Sequence, residues 1–363
     1  MAKIKEILKR KDIILSGKRY GIDALGAMAQ GLFCTLLVGT ILNTIGQQFS
    51  IAFLNEIIVT LGKGDGQTTY TLGGLASAMV GPGIAVAIGS ALHAPGLVLF
   101  SLIPVGFAAN AIGGAGGPLA VYVVAILACE CGKLVSKETK VDILVTPIVT
   151  ILVGISLSCL VAAPIGAAAS AVGDAVKWAT NQQPFFMGIL VSAIIGIALT
   201  LPISSAAICA ALSLTGLAGG AAVAGCCAQM VGFAVMSFKE NRWGGLVAQG
   251  IGTSMLQMPN IVKNPRIWIP PTLASMITGP LATCLFKLEM NGAPVSSGMG
   301  TCGLVGQIGV YTGWVSSGKA ITAMDWAGLV LICFVLPAVL SWIFCQVLRK
   351  WGWIKENDLK LDL

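Results

Sequence analysis

Apolar stretches broken by glycine, proline and short basic segments recur along nearly the whole chain. A membrane-crossing helix needs about 20 mostly apolar residues, and runs of that kind cover 25–45, 71–92, 95–112 and 118–132. The last two are short, glycine-rich and proline-interrupted, which predicts a discontinuous helix in at least one of them. A fifth crossing is predicted over 143–163, ending near Pro164, and a sixth over 185–201, stopped by Pro202. Between them, 165–180 sets Asp174, Lys177 and Trp178 among Ala and Ser. It is too polar to cross and reads as an interfacial amphipathic helix.

Beyond Pro202 the pattern is less regular. Segments 204–213 and 246–259 are apolar but short, whereas 217–237 and 267–286 are long enough to span. Segment 292–313 is short and rich in Gly, Ser and Thr, and 327–348 is a last crossing before a basic tail. Two topologies put both termini on one side. One has about ten crossings and leaves Lys239 and Arg242 on the opposite side. The other has about eight, with 204–237 and 245–262 as re-entrant pairs and those charges on the side of the termini. The expectation is an all-α polytopic membrane protein of about 8–10 transmembrane helices with broken or re-entrant hairpins. Its organisation reads as a basic amphipathic segment (1–22), a five-span domain (23–163), an interfacial linker helix (164–183) and a later domain with the re-entrant hairpins and the tail (184–363).

Composition removes the soluble alternative. Hydrophobic residues make up 56% of the chain and charged residues 10%, against roughly 25% charged in soluble domains. The 46 Gly and 15 Pro suit closely packed, interrupted helices rather than plain anchors. The net charge of +7 is concentrated at Lys3, Lys5, Lys9, Arg10, Lys11, Lys18 and Arg19, at Lys133, Lys137 and Lys140, and at Arg349, Lys350, Lys355 and Lys360. Each group flanks an apolar run, which predicts a multi-pass membrane protein with both termini cytoplasmic. Nucleic acid is excluded as a partner, because no basic groove interleaved with aromatics is present. The 11 Cys lie mostly inside apolar runs, and the close pairs Cys129/Cys131 and Cys226/Cys227 lack zinc-site spacing. No metal, no cofactor and no self-contained catalytic site is expected. No cleavable leader is expected from the basic amphipathic start of the sequence, and no P-loop motif occurs in it.

Polar residues at membrane depth are costly unless paired or used. Glu130 is either an interfacial carboxylate pairing Lys133 or Lys137, or a ligand contact. His93, the single histidine, sits at a turn between two apolar runs and is either a loop-bonding imidazole or a solute contact. The segment 110–118, Asn-Ala-Ile-Gly-Gly-Ala-Gly-Gly-Pro, can break into two half-helices whose free amides, with Asn110, bind hydroxyls or an anion. Gln249, Thr253, Gln257 and Asn260 recur at helical spacing and could line one face of a short helix. Ser296, Ser297 and Thr301, followed by Gln307, offer the same neutral chemistry. Trp268, Tyr311 and Trp314 are candidates for stacking on a sugar ring, beside their commoner interfacial role. Together they suit a neutral, polyhydroxylated solute.

These residues also carry a resemblance. The runs 110–118 (NAIGGAGGP), 130–142 (ECGKLVSKETKVD), 145–150 (VTPIVT), 257–271 (QMPNIVKNPRIWIPP) and 297–307 (SGMGTCGLVGQ) resemble the membrane IIC proteins of the phosphotransferase system (PTS). The nearest branch is named after the perfringolysin O regulator, or toxin regulators. The resemblance implies a homodimer, a first five-span scaffold that makes the dimer, and a mobile later domain that carries the sugar. Classical members of the glucose superfamily hold sugar with an acid and a histidine in the later half. Here His93 and Glu130 lie in the first half, so that pair does not transfer. The IIA and IIB domains are missing from the chain, so any phosphorylation of the solute requires a IIB partner in trans. The expected function is a permease for a neutral polar solute, a sugar first, with Asn110, Gln257, Asn260, Ser296, Ser297 and Thr301 as contacts and His93 and Glu130 as further candidates. The alternatives are a membrane sensor that binds a solute without transport, and an ion-coupled transporter of a non-sugar solute.

Overall fold

The computed structural model describes residues 2–62 and 67–361, without the side chains of residues 2–5. Lys3 and Lys5 of the N-terminal basic group therefore lie outside the described side chains. The chain divides into two compact units, Met1–Ala168 and Ala169–Leu363. Apart from one antiparallel pair, β1 (Val59–Leu61) with β2 (Thr68–Tyr70), the described regular elements are helices. It is an all-α polytopic membrane protein.

In the first unit, α1 (Ala2–Arg10) precedes the long α2 (Arg19–Gln48). Next come α3 (Leu72–Ala78) and α4 (Val80–Ala91), which form a pair bent by 52°. The helical run Gly96–Val135 is not one rod. Gly114 takes φ +51° and ψ −122°, a conformation open to glycine, and the chain reverses there. It thus splits into α5 (Gly96–Gly113) and α6 (Gly117–Val135). A Cβ at Gly117 would overlap the Asn110 amide oxygen, although seven residues along a straight helix would separate the two by about 10 Å.

The run Asp142–Thr180, α7, is helical through Pro164, and the division between the units falls within it. A π-helical turn at Ser158–Ala162 widens the ladder just before Pro164. The proline's missing N–H and its ring are absorbed there without ending the helix. Residues 165–180, read from sequence as a separate interfacial helix, thus continue α7.

The second unit is built around α10 (Gly216–Met236), most of whose residues are buried. Small residues on α10 admit its neighbours: a Cβ at Gly225 would overlap the Ser192 carbonyl of α8 (Pro184–Thr200), and one at Gly232 would press on Ser341. The other walls are α13 (Ile269–Pro280), continued by a π-helical turn at Leu281–Leu285, and α15 (Ala323–Lys350). Ser192 Oγ donates to Ser275 O at 2.7 Å, tying α8 to α13. Between these lie short pieces: α9 (Ser205–Ala211), α11 (Phe238–Val247), α12 (Met258–Lys263) and α14 (Val305–Ser316).

The two topologies of the sequence reading are distinguished here. Lys239 pairs with Glu356 at 2.9 Å and Glu240 with Arg349 at 2.5 Å. The 239–242 charges therefore sit at the same end of the unit as the basic tail, as in the reading with re-entrant pairs and not as in the ten-crossing reading. Only part of the re-entrant reading holds: 245–262 folds back, whereas 204–237 is no such pair, because Gly216–Met236 is one unbroken apolar helix of 21 residues, long enough to cross.

Candidate functional site

In the first unit the sequence candidates His93 and Glu130 share one charged cluster. Arg19 grips Asp12 with two hydrogen bonds, 2.7 and 3.1 Å, and donates to Leu92 O at 2.6 Å. Lys133, 1% exposed, donates to Leu92 O at 2.9 Å and to Asp12 O at 2.7 Å, and lies 3.2 Å from Glu130 Oε2. Tyr20 donates to Glu130 Oε1 at 3.0 Å. Leu92 ends α4, so two cations sit on its orphan carbonyl and complement the negative end of the helix dipole. His93 follows in the left-handed region (φ 56°) with an exposed side chain 3.1 Å from Asp12. The Arg19 guanidinium, with help from His93, holds the Asp12 carboxyl well below the usual carboxylate range. Arg10 and Lys11 meet Glu138, and Lys11 also donates to Ser136 O. The basic N-terminal segment and the 132–140 loop thus lie at one end of the unit, around a cavity of about 380 Å³. Asn110 is not in this cluster. It lies at the α5–α6 turn at the other end, against Gly81 and Gly117.

In the second unit, two hairpins dip toward the middle of α10 from opposite ends. The first, 238–264, leaves the end of α10, reaches Thr200 of α8 at Ser254, and returns so that Asn264 bonds Trp353 O at 2.9 Å. The second, 291–316, leaves near the Gly216–Met290 pairing, reaches α10 at Gly300 and Thr301, and returns until Gly313 packs on Asn291. Their tips converge on α10 residues 226–230. Thr200 Oγ1 and Ser254 Oγ are 2.8 Å apart. Gln229, fully buried, accepts from Trp268 Nε1 at 2.9 Å and donates to Thr272 Oγ1 at 3.2 Å. Thr301 Oγ1 donates to Met230 Sδ at 3.6 Å. Every side chain in this group is neutral. A cavity of about 200 Å³ opens beside Trp268 and Thr272, walled by Ile197, Ile269 and Leu273.

The other sequence candidates fall around this centre. Ser297 Oγ donates to Leu214 O at 2.7 Å, Ser205 Oγ to Gly298 O at 2.7 Å, and Ser296 packs against Gly309. Gln307 donates to Cys227 Sγ at 3.1 Å, and its buried Oε1 has no partner among the described residues.

Gln249, Thr253, Gln257 and Asn260 do not share one helix face, because the chain is extended at Thr253 (φ −159°) and Thr253 instead caps Met255 N. The three amides among them converge all the same. Gln257 Nε2 donates to Gln249 Oε1 at 2.8 Å and to Leu359 O at 3.0 Å, and Asn260 Nδ2 to Gln257 Oε1 at 2.9 Å and to Lys360 O at 2.8 Å. Gln249 reaches Ser237, seven residues along α10 from Met230 and so about 10 Å from the hairpin tips. In this structure these amides hold the 351–361 segment. Trp314 is also committed elsewhere: it is 2% exposed, inside the apolar core with Val310 and Ile332, and edge-on to Trp326.

Sequence reasoning missed Thr200, Gln229, Ser254 and Thr272. Gln229 carried a usable signal, being the single amide in the otherwise apolar 216–236 run. Thr200 and Ser254 carried none, since only the fold brings their hydroxyls together. Among the described residues no group of three or more His, Cys, Asp or Glu is placed to hold a metal ion.

The chain matches the family model described as "Phosphotransferase system, EIIC" over residues 22–361. No curated protein and no solved structure matches it.

Proposed function

Because the chain belongs to the phosphotransferase system EIIC family, we propose that this multi-pass membrane permease carries a neutral, polyhydroxylated solute, a sugar first, past the two hairpin tips on α10. The observation that carries this reading is the charge-free polar group Thr200, Gln229, Ser254, Trp268 and Thr272 at mid-helix depth. Buried hydroxyls and amides cost free energy in apolar surroundings unless bonded, and here each is bonded to a neighbour that can be exchanged for a solute hydroxyl. Discontinuous helices meeting near the bilayer midplane are where transporter folds hold their solutes. Thr301, Ser297, Ser296 and Gln307 complete one wall, with the unpaired Gln307 Oε1 available to a solute hydroxyl. Gln257 and Asn260 lie on the path toward the tail end.

The proposal includes two copies per assembly, both termini in the cytoplasm, and a phosphorylated IIB protein acting in trans where transport is coupled to phosphorylation. The test is thermal unfolding of the purified chain against sugars, polyols, nucleosides and amino acids, since a ligand of the folded state raises the midpoint with concentration. A shift confined to a sugar and lost in Gln229→Ala supports the reading. A shift with an amino acid alone overturns the solute class.

A further inference from the structure

A cavity of about 490 Å³ opens where the first hairpin leaves α10, lined by residues of α10, α11 and α15. Three cations line it, Lys239, Arg242 and Arg349, and no carboxylate does. Apart from Gln346, the rest of the wall is apolar or aromatic. Trp243 and Trp342 are 71% and 51% exposed, and the half-buried Val235 and Leu246 extend the apolar part of the wall. An acid-free cationic pocket with exposed indoles at the end of membrane helices has the chemistry of the headgroup region. There cations bind phosphate, and Trp sits at the boundary of the acyl chains.

Arg242 singles out this pocket. It has no hydrogen-bond or ion partner among the described residues, and it sits at φ 52° and ψ −149°, a conformation close to glycine-only that costs about 1–3 kcal/mol in other residues. A glycine would fit that backbone, yet the position carries a long cation. The two neighbouring cations are held differently. Lys239 meets Glu356 in an exposed pair, 69% and 78% exposed, which contributes little and exchanges readily. Arg349 is fixed by Glu240 behind the pocket and supplies a stationary charge.

We propose that this pocket is a binding site for the headgroup phosphodiester of an anionic phospholipid. Arg242 forms the forked contact to phosphate, Lys239 is the second donor, and Trp243 and Trp342 flank the glycerol while the acyl chains run along Val235 and Leu246. The occupant is a lipid rather than a free anion because more than half of the lining is apolar or aromatic, with two exposed indoles beside the cations. The site stands apart from the solute-binding group and does not depend on it.

The test is thermal unfolding of the full chain in detergent, titrated with phosphatidylglycerol, phosphatidylcholine or inorganic phosphate. The expected result is a concentration-dependent rise with phosphatidylglycerol, little with phosphatidylcholine, and an apparent affinity that falls roughly fivefold for each cation removed in Lys239→Gln or Arg242→Gln. Arg242→Gly separates folding from binding: it relieves the backbone, so the lipid-free midpoint stays level or rises while the preference for phosphatidylglycerol falls. Lys137→Gln, in the other unit, leaves the preference unchanged. Equal shifts with both lipids, or an undiminished preference in Arg242→Gly, overturn the site. An equal response to inorganic phosphate overturns the lipid assignment.

Discussion

Lys133→Met probes the most heavily used cation in the first unit. Its ammonium serves Leu92 O, Asp12 O and the Glu130 carboxylate at once, with 1% of the side chain exposed. After substitution Leu92 O keeps its bond from Arg19 at 2.6 Å, so that carbonyl loses little. Glu130 does not fare as well: 12% exposed, it keeps only the Tyr20 hydroxyl. Stranding one member of a buried pair costs about 3–5 kcal/mol. The residual Tyr20 bond argues for the lower end, about 3 kcal/mol. For a unit of this size that corresponds to a fall of about 6–12 °C in the unfolding midpoint, read at a fixed scan rate in one detergent. Adding Glu130→Gln removes the stranded charge, so the double variant recovers about half of the loss or more. The reasoning is refuted if Lys133→Met unfolds within about 2 °C of the parent, or if the double variant is no more stable than the single one.

Other expectations follow from the same geometry. Gly225→Val forces α8 from α10 and lowers stability by about 2 kcal/mol or more, whereas Gly244→Ala, where a Cβ meets nothing within 4 Å, stays within about 0.5 kcal/mol. Asn241→Ala breaks the bonds to Leu359 O and from Leu361 N, so hydrogen exchange of the 353–361 amides accelerates roughly tenfold or more while α10 amides are unchanged. The depressed Asp12 carboxyl contributes stability that is fully present above its unfolded value of about 3.9. That stability is lost as pH falls through the lower folded value. The midpoint of the parent therefore drops below about pH 4 more steeply than that of Asp12→Asn.

The helical membrane character was legible because apolar runs of spanning length leave few alternatives. The α5–α6 reversal could be read from the glycines of 110–118, since a chain reversal needs a conformation that glycine alone adopts freely. Pro164 misled for a local reason: a π-helical turn absorbed the residue that would ordinarily end a helix. The tail end of the later unit was read half correctly. Gln257 and Asn260 do face a common polar partner, but that partner is the chain's own 359–360 backbone, and the extended residue Thr253 breaks the assumed helix. Spacing along one helix cannot reveal a site assembled from Thr200, Gln229, Ser254 and Thr301, which lie on four separate segments. Thr301 was among the sequence candidates, and Gln229 was open to inference as a lone amide in an apolar run.

The central claim is that neutral hydroxyl and amide groups at the hairpin tips carry a polyhydroxylated solute. Counterflow of labelled sugars and polyols in proteoliposomes containing the purified chain tests it most directly. The account predicts saturable counterflow of at least one such solute, reduced at least about tenfold in Gln229→Ala and retained in Gly244→Ala. Absence of counterflow for every neutral solute, or flux indifferent to Gln229, would contradict it.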